Sequence, residues 1–242
     1  MDPRINVVEK RLEKIGRIIA VAGGKGGIGK STVASLLALV LADSNKKVGL
    51  LDLDFTGAST HTILGVDDFH FPKEDEGIIP PKYHGISYIT IANFTQDHAI
   101  PFRGKDITNA ILEILAITRW GELDYLIIDM PPGINDTTLD IIRLIKRIEF
   151  CVVTTPSKIS TEVVKKSIEL LKELNIPILG ILENMTNPEK SGGTKKIFKN
   201  CYLGSIPFDE TYENSIGCID KLLETAIAKT LRNFTVLGDI MC

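Results

Sequence analysis

Residues 20–37 read AVAGGKGGIGKSTVASLL, and their reading decides the architecture. An apolar run, RIIAVAG (17–23), leads into Gly24-Lys25-Gly26-Gly27-Ile28-Gly29-Lys30-Ser31, which fits the phosphate-loop pattern G-x-x-x-x-G-K-[ST] between a strand and a helix. The glycines let backbone N–H groups turn toward phosphate oxygens, and the helix that begins near Lys30 adds the positive end of its dipole. Lys30 is placed to reach the β- and γ-phosphates, Ser31 to offer its hydroxyl to Mg²⁺, and Thr32 to complete the nucleotide-binding run. The loop therefore implies ATP or ADP with Mg²⁺. One lysine satisfies the pattern, so the second, Lys25, calls for a separate explanation.

Working outward, apolar β-rich runs recur at 47–54, 86–92, 124–130, 150–155 and 176–184, most of them apolar throughout, as parallel strands covered on both faces require. Helical patterns lie between them over Ser31–Ala42, Asp106–Arg119, Thr137–Arg147, Thr161–Leu174 (with Ser160 as N-cap) and Ile219–Arg232. The alternation predicts an α/β fold, a doubly wound and mostly parallel sheet with helices on both faces. Residues 1–16 carry an amphipathic pattern (Ile5, Val8, Leu12, Ile15) and read as an N-terminal helical extension. Residues 17–235 read as a single phosphate-loop domain and 236–242 as a tail. Residues 67–85 are acidic and Pro/Gly-rich, and read as a solvated loop.

The composition fits a domain with a sizeable core: 242 residues, 44% hydrophobic, 24% charged, formal net charge −3. No apolar run is long enough for a membrane span, and no basic excess marks a nucleic-acid surface. The expectation is a cytoplasmic protein with no stable membrane anchor and no nucleic-acid partner. Cys151, Cys201, Cys218 and Cys242 show no spacing of a disulfide frame or zinc site.

Carboxylates must hold the metal and orient water. Asp129 ends the apolar run YLIIDM, where a Walker B aspartate belongs. Asp52 and Asp54 end GLLDLD, ahead of the small, polar loop FTGAST. Ligands of open parallel sheets bind at the carboxyl ends of strands, so the three acids should converge on the loop.

KGGIGKST, with lysine at the loop's second position, resembles the deviant phosphate loop of the MinD/ParA/Mrp ATPases. RGKDITNAILEILAITRWGELDYLIIDMPPGIND (103–136), DFTGASTHTILG and ILENMT bring the likeness to the Mrp branch over roughly residues 17–230. The resemblance implies that Lys25 crosses a homodimer interface to the nucleotide phosphates of the partner subunit. It implies that Asp54 orients the attacking water, with Asp52 beside it in the Mg²⁺ network. It further implies that Asn184 hydrogen-bonds adenine and that the SIPFD loop (205–209), with Pro207 and Phe208, flanks the base. Catalytic roles thus fall on Lys25, Lys30 and Asp54, and metal roles on Ser31, Asp52 and Asp129.

Mrp-type carriers hold an iron–sulfur cluster with a C-x-x-C pair shortly after the ENM strand. Here the sequence runs ENMTNPEKSGGTKKIFKNC, without the pair. Cys201 and Cys218 read as incidental, Cys151 as core, and no bound iron–sulfur cluster is expected. His70 and His84 lie among Glu74, Asp75 and Glu76 in the acidic loop, which reads as partner-facing rather than metal-binding. PPGIND also departs from the branch at Ile134 and Asn135, while Asp136 keeps its place. Mrp-like ATPases without the cysteine pair include the ATPase-type HypB of [NiFe] hydrogenase maturation. By that resemblance the leading expectation is an ATP-hydrolysing dimer that assists nickel insertion with a HypA-like nickel chaperone or another metal-cofactor assembly protein. The alternatives are an Mrp-type iron–sulfur carrier, a MinD/ParA-type positioning ATPase, and a small-molecule kinase on the same scaffold.

Overall fold

The computed structural model describes residues 2–55, 57–67, 72–91, 105–187 and 193–235. His70, His98 and Cys242, with the tail from 236, lie outside them. The chain opens with helix α1 (Arg4–Leu12), followed by β1 (Ile15–Gly23), α2 (Lys30–Asp43), β2 (Val48–Asp52) and α3 (Thr60–Leu64). Three short strands come next, β3 (Lys73–Glu74), β4 (Ile78–Ile79) and β5 (Lys82–Tyr83), then β6 (Ile86–Thr90), α4 (Lys105–Ile117), β7 (Leu123–Asp129) and α5 (Asp136–Leu144). The chain continues through β8 (Ile148–Thr154), α6 (Lys158–Glu173), β9 (Ile178–Thr186), α7 (Gly193–Phe198) and β10 (Tyr202–Pro207) to α8 (Ile219–Glu224) and α9 (Ala226–Thr235).

An eight-stranded sheet runs in the order β10-β9-β8-β1-β7-β2-β6-β5, parallel except for β5, which pairs antiparallel with β6. Two apolar layers cover it. One joins α1, α4, α5 and α6 through residues such as Val8, Ile111, Ile141 and Val164. The other joins α2, α3, α8 and α9 through Leu36, Leu64, Leu222 and Leu231. This is the doubly wound arrangement expected, and β1 carries the phosphate loop at its carboxyl end because both its neighbours, β7 and β8, run parallel to it. Helix α2 is buried continuously from Val33 to Leu41, as a helix apolar all round must be.

Several boundaries differ from expectation, each for a tertiary reason. Ile15 leaves the α1 face and begins β1, because pairing with Leu123 satisfies its backbone in the sheet ladder. Ser160 lies inside α6. Its hydroxyl pairs with Thr154 Oγ1 at 3.1 Å and accepts from the Thr155 N–H at 3.3 Å, pinning the helix to the end of β8; the N-cap is Ser157. The last helix is split at Thr225, which is extended (φ −62°, ψ 154°). Asp209 Oδ2 accepts from the Ala226 N–H at 2.7 Å and starts α9 anew. Part of the acidic stretch is built rather than loose. β3 and β4 form a hairpin that Arg11 holds by donating to the Glu76 carbonyl at 2.6 Å, and Arg119 by pairing with Asp75 at 2.6 Å.

Gly65 closes α3 in the left-handed region (φ +64°), and a Cβ there would stand 2.6 Å from the Gly217 carbonyl oxygen. Gly65→Ala combines left-handed strain with a backbone clash, so a loss of about 3 kcal/mol is expected. The urea midpoint measures it. An unchanged midpoint would mean that the Gly65–Gly217 contact yields freely.

Candidate functional site

Three strands end together. Val21 is in register with Asp129, and Asp129 with Asp52, so adjacent parallel strands set the two carboxylates side by side below the loop that follows β1. Helix α2 starts at Lys30 from a left-handed Gly29 (φ +80°). A Cβ on Gly29 would meet the Asn184 side-chain nitrogen at 2.2 Å, so both the turn and the close approach require glycine there.

Lys30 is 6% exposed. Its ammonium donates to Asp129 Oδ1 at 2.7 Å, lies 3.7 Å from Asp54 Oδ2 and is 3.4 Å from the Ser31 hydroxyl. Burial foremost, with the neighbouring Asp52 charge second, pushes the Asp129 carboxyl up to about 7, although Lys30 pulls the other way. Asp52 is likewise pushed up by burial. Its Oδ1 accepts from the Asp54 N–H at 3.0 Å, and its Oδ2 from the Thr60 N–H at 3.3 Å and hydroxyl at 2.6 Å. The Thr60 oxygen is in turn 2.7 Å from the hydroxyl of the fully buried Tyr88. Both oxygens of Asp52 are therefore engaged in holding the 53–60 loop.

Asp129 Oδ2, by contrast, is buried with no hydrogen-bond partner. With the nearby Ser31 hydroxyl it makes an all-oxygen donor set that suits Mg²⁺, which takes one or two protein oxygens together with phosphates. Among the described residues no group of three or more His, Cys, Asp or Glu could hold a metal ion. His84 instead sits 3.0 Å from the Leu64 carbonyl oxygen.

Beside the loop opens a cavity of about 250 Å³, lined by Gly27, Gly29, Thr32, Asn184, Pro207 and Phe208 among others. It brings together residues far apart in sequence. Asn184 donates to the Ile28 carbonyl at 2.9 Å, so it touches the phosphate loop while lining the cleft. Phe208 is 64% exposed at the rim. Tyr212 forms another wall, its hydroxyl 2.9 Å from Thr32 Oγ1. Gly24 packs against α6, where a Cβ would meet Val163. Lys25 and Gly26 are exposed, and Lys25 has no ion pair among the described residues. Asn135, one of the departures noted above, caps α5 by accepting from the Thr138 N–H at 3.2 Å. Tyr88 and Tyr212 were not expected at this site, and Thr60 was expected only as part of the FTGAST loop. No local pattern marks a hydroxyl that reaches its partner only across the sheet.

Among the described residues the free thiols are Cys151 and Cys218, and they do not gather. Cys151 is buried in β8, with its thiol pushed up to about 12 by burial. Cys218 is half-buried at the start of α8. Cys201, buried just before β10, is disulfide-bonded, which corrects the reading of it as incidental: cysteine spacing in the sequence does not show which thiols the fold brings together.

Residues 14–223 match the family model described as ParA: NUBPL iron-transfer P-loop NTPase. The chain is 43% identical over 197 residues to an iron-sulfur cluster carrier protein of Rickettsia conorii, covering 80% of this chain and 61% of that protein. It thus spans about three-fifths of the length of that relative. It is 36% identical to a cytosolic Fe-S cluster assembly factor Nubp2 homolog of Anopheles gambiae, covering 91% of this chain and 95% of that protein. A solved nucleotide-binding protein of Archaeoglobus fulgidus, in complex with ADP and with cobalt found in it, superposes with a TM-score of 0.73 at 32% identity. That match covers 97% of this chain and 94% of the other. These findings overturn the expectation of nickel insertion with a HypA-like chaperone, because the matched curated relatives carry iron–sulfur names. The nickel reading leaned on the missing C-x-x-C, and a missing ligand pair says nothing about which metal a protein serves.

Proposed function

The chain belongs to the ParA family of P-loop NTPases, to the part described by the NUBPL iron-transfer model, and from that premise we propose that it is a homodimeric, Mg²⁺-dependent ATPase of iron–sulfur cluster assembly. The observation that carries the nucleotide part is Lys30, buried between Asp129 and Asp54 under the glycine loop. The iron–sulfur part is supported by the relatives' names.

The chain's own residues divide the work as follows. Backbone N–H groups of residues 26–31 and the start of α2 receive the phosphates, and Lys30 turns from Asp129 toward the β/γ-oxygens. Ser31 and Asp129 would hold Mg²⁺, which when bound neutralises charge developing on the phosphates. Asp52 acts at one remove, fixing Asp54 through its backbone and the 53–60 loop through Thr60. Asp54 orients a water whose oxygen bonds to the γ-phosphorus as the bond to the bridging oxygen breaks, leaving ADP and phosphate. Asn184, Pro207 and Phe208 seat the base in the cleft.

Lys25 supplies the second half of the dimer. An exposed ammonium without an internal ion pair gains a phosphate partner only when another copy brings its nucleotide. Lys25→Ala is therefore expected to bind ATP within about threefold of the parent, while ATP-driven dimerisation weakens by about tenfold or more. Light scattering with and without ATP reads this directly. A variant that still dimerises fully would remove Lys25 from the interface.

The cluster is cargo. Anaerobic incubation with ferric iron, sulfide and a thiol reductant, followed by desalting, is expected to give a brown protein. The cluster should be held between two copies, because the free thiols of the described residues do not gather within one. Its iron and acid-labile sulfide are expected to pass together to an apo-ferredoxin. A colourless protein without labile sulfide would overturn the carrier reading and leave the ATPase.

A further inference from the structure

Beyond the nucleotide site, one patch combines charge, apolarity and rigidity. Helix α7 and the turn that follows it expose Lys195, Lys196, Ile197 and Lys199. Ile197 is 45% exposed. None of the three lysines has an ion pair among the described residues. Lys172 joins them from α6, its ammonium 3.9 Å from Cys201 Sγ at the end of the same turn. The patch lies beside β10, at the edge of the sheet.

This ridge is built into the fold. Thr194 donates its hydroxyl to the buried Glu183 of β9, and the Tyr202 hydroxyl donates to the other Glu183 oxygen at 3.2 Å. Phe198 packs against the core from within the ridge. One carboxylate and one aromatic ring thus hold α7 down on its inner side, and the lysines and Ile197 are left facing out. The anchor holds the lysines and Ile197 in one fixed arrangement, so an oppositely charged partner meets them without first ordering the segment.

We propose that this ridge is a docking surface for an acidic segment of a client protein, with the lysines as a charged rim and Ile197 as the apolar contact at its centre. An apolar centre within a polar rim is the anatomy of a protein interface. Nucleic acid fits less well. Affinity there comes from many phosphate contacts, whereas this chain is net negative and gathers only a few lysines on a short ridge.

The test uses the full chain and two labelled probes in fluorescence anisotropy, a peptide of alternating glutamate and leucine and a mixed-sequence DNA duplex. The parent should bind the peptide in a salt-dependent manner. The variant Lys195→Glu/Lys196→Glu/Lys199→Glu should lose about tenfold or more in affinity, because like charges now oppose the probe. Lys46→Glu/Lys221→Glu, with equally exposed lysines elsewhere, should bind as the parent does. Ile197→Ser should weaken binding without changing the salt slope, since it removes apolar contact and no charge. Equal peptide binding by the parent and the ridge variant, or none by the parent, overturns the proposal. So does ridge-dependent binding of the duplex more tightly than the peptide. A fluorescent ATP analogue run in parallel should bind the parent and the ridge variant alike. Failure of that arm in the parent counts against the nucleotide reading and leaves the ridge standing.

Discussion

Lys30→Ala is expected to lose ATP affinity by about a hundredfold to a thousandfold, on the order of 3 to 4 kcal/mol, from the loss of a buried, charge-assisted phosphate contact. The fold should survive. Breaking a buried pair by removing one partner usually costs several kcal/mol, because a charge is left uncompensated. Here the remaining carboxyl can take a proton. Asp129 is already pushed up to about 7 with Lys30 beside it, and Lys30 is what pulls it down, so its removal raises Asp129 further. A carboxyl whose folded value lies above its unfolded one contributes stability at low pH and loses it as pH rises through the folded value. Below about pH 7 the parent and the variant both hold Asp129 protonated. Above it the parent, with Asp129 ionised beside Lys30, loses no more, whereas the variant goes on losing stability until its higher value is passed. The stability difference should therefore be small at pH 6 and larger at pH 8. Isothermal calorimetry with ATP and urea midpoints at the two pH values test both statements. ATP binding within a few-fold of the parent would remove Lys30 from the phosphate site.

Asp54→Ala should separate binding from turnover. Asp54 lies 3.7 Å from the Lys30 ammonium, whereas Asp129 holds that ammonium at 2.7 Å, so truncating Asp54 leaves the lysine in place. Its backbone N–H still donates to Asp52, and the 53–60 loop keeps its anchor at Thr60. ATP affinity should stay within about threefold, while single-turnover hydrolysis falls by about a hundredfold or more once no group orients the water. ATP should then accumulate on the protein, and the dimer should outlast the parent's in light scattering. Hydrolysis within about tenfold of the parent would mean that another group, or the phosphate itself, positions the water.

The apolar runs of β1, β2, β7, β8 and β9 were legible because strands covered on both faces leave no polar alternation, and each was found within two or three residues. The short strands β3 to β5 were not legible. They are held by Arg11 of α1, by Arg119 just beyond the end of α4, and by pairing with β6. The split at Thr225 was hidden for the same reason, since the group that restarts the helix is Asp209, well upstream in the chain.

Local chemistry settles the phosphate loop. Gly24–Ser31, with strand before and helix after, leaves the backbone one economical use for its glycines, and Asp129 follows from its place at the end of an apolar run. Asp52 needed the folded chain. In sequence it is an acid at a strand end like Asp54 and Asp129, suited to a metal. Strand register and the Thr60–Tyr88 hydroxyls engage both its oxygens and turn it into the support of the loop that carries Asp54. The cleft formed by Asn184, Pro207, Phe208 and Tyr212, and the lysine ridge held by Glu183, likewise exist only because parallel strands bring distant segments to one edge. Short-range chemistry is written residue by residue, whereas a partner that arrives across a sheet is written nowhere along the chain.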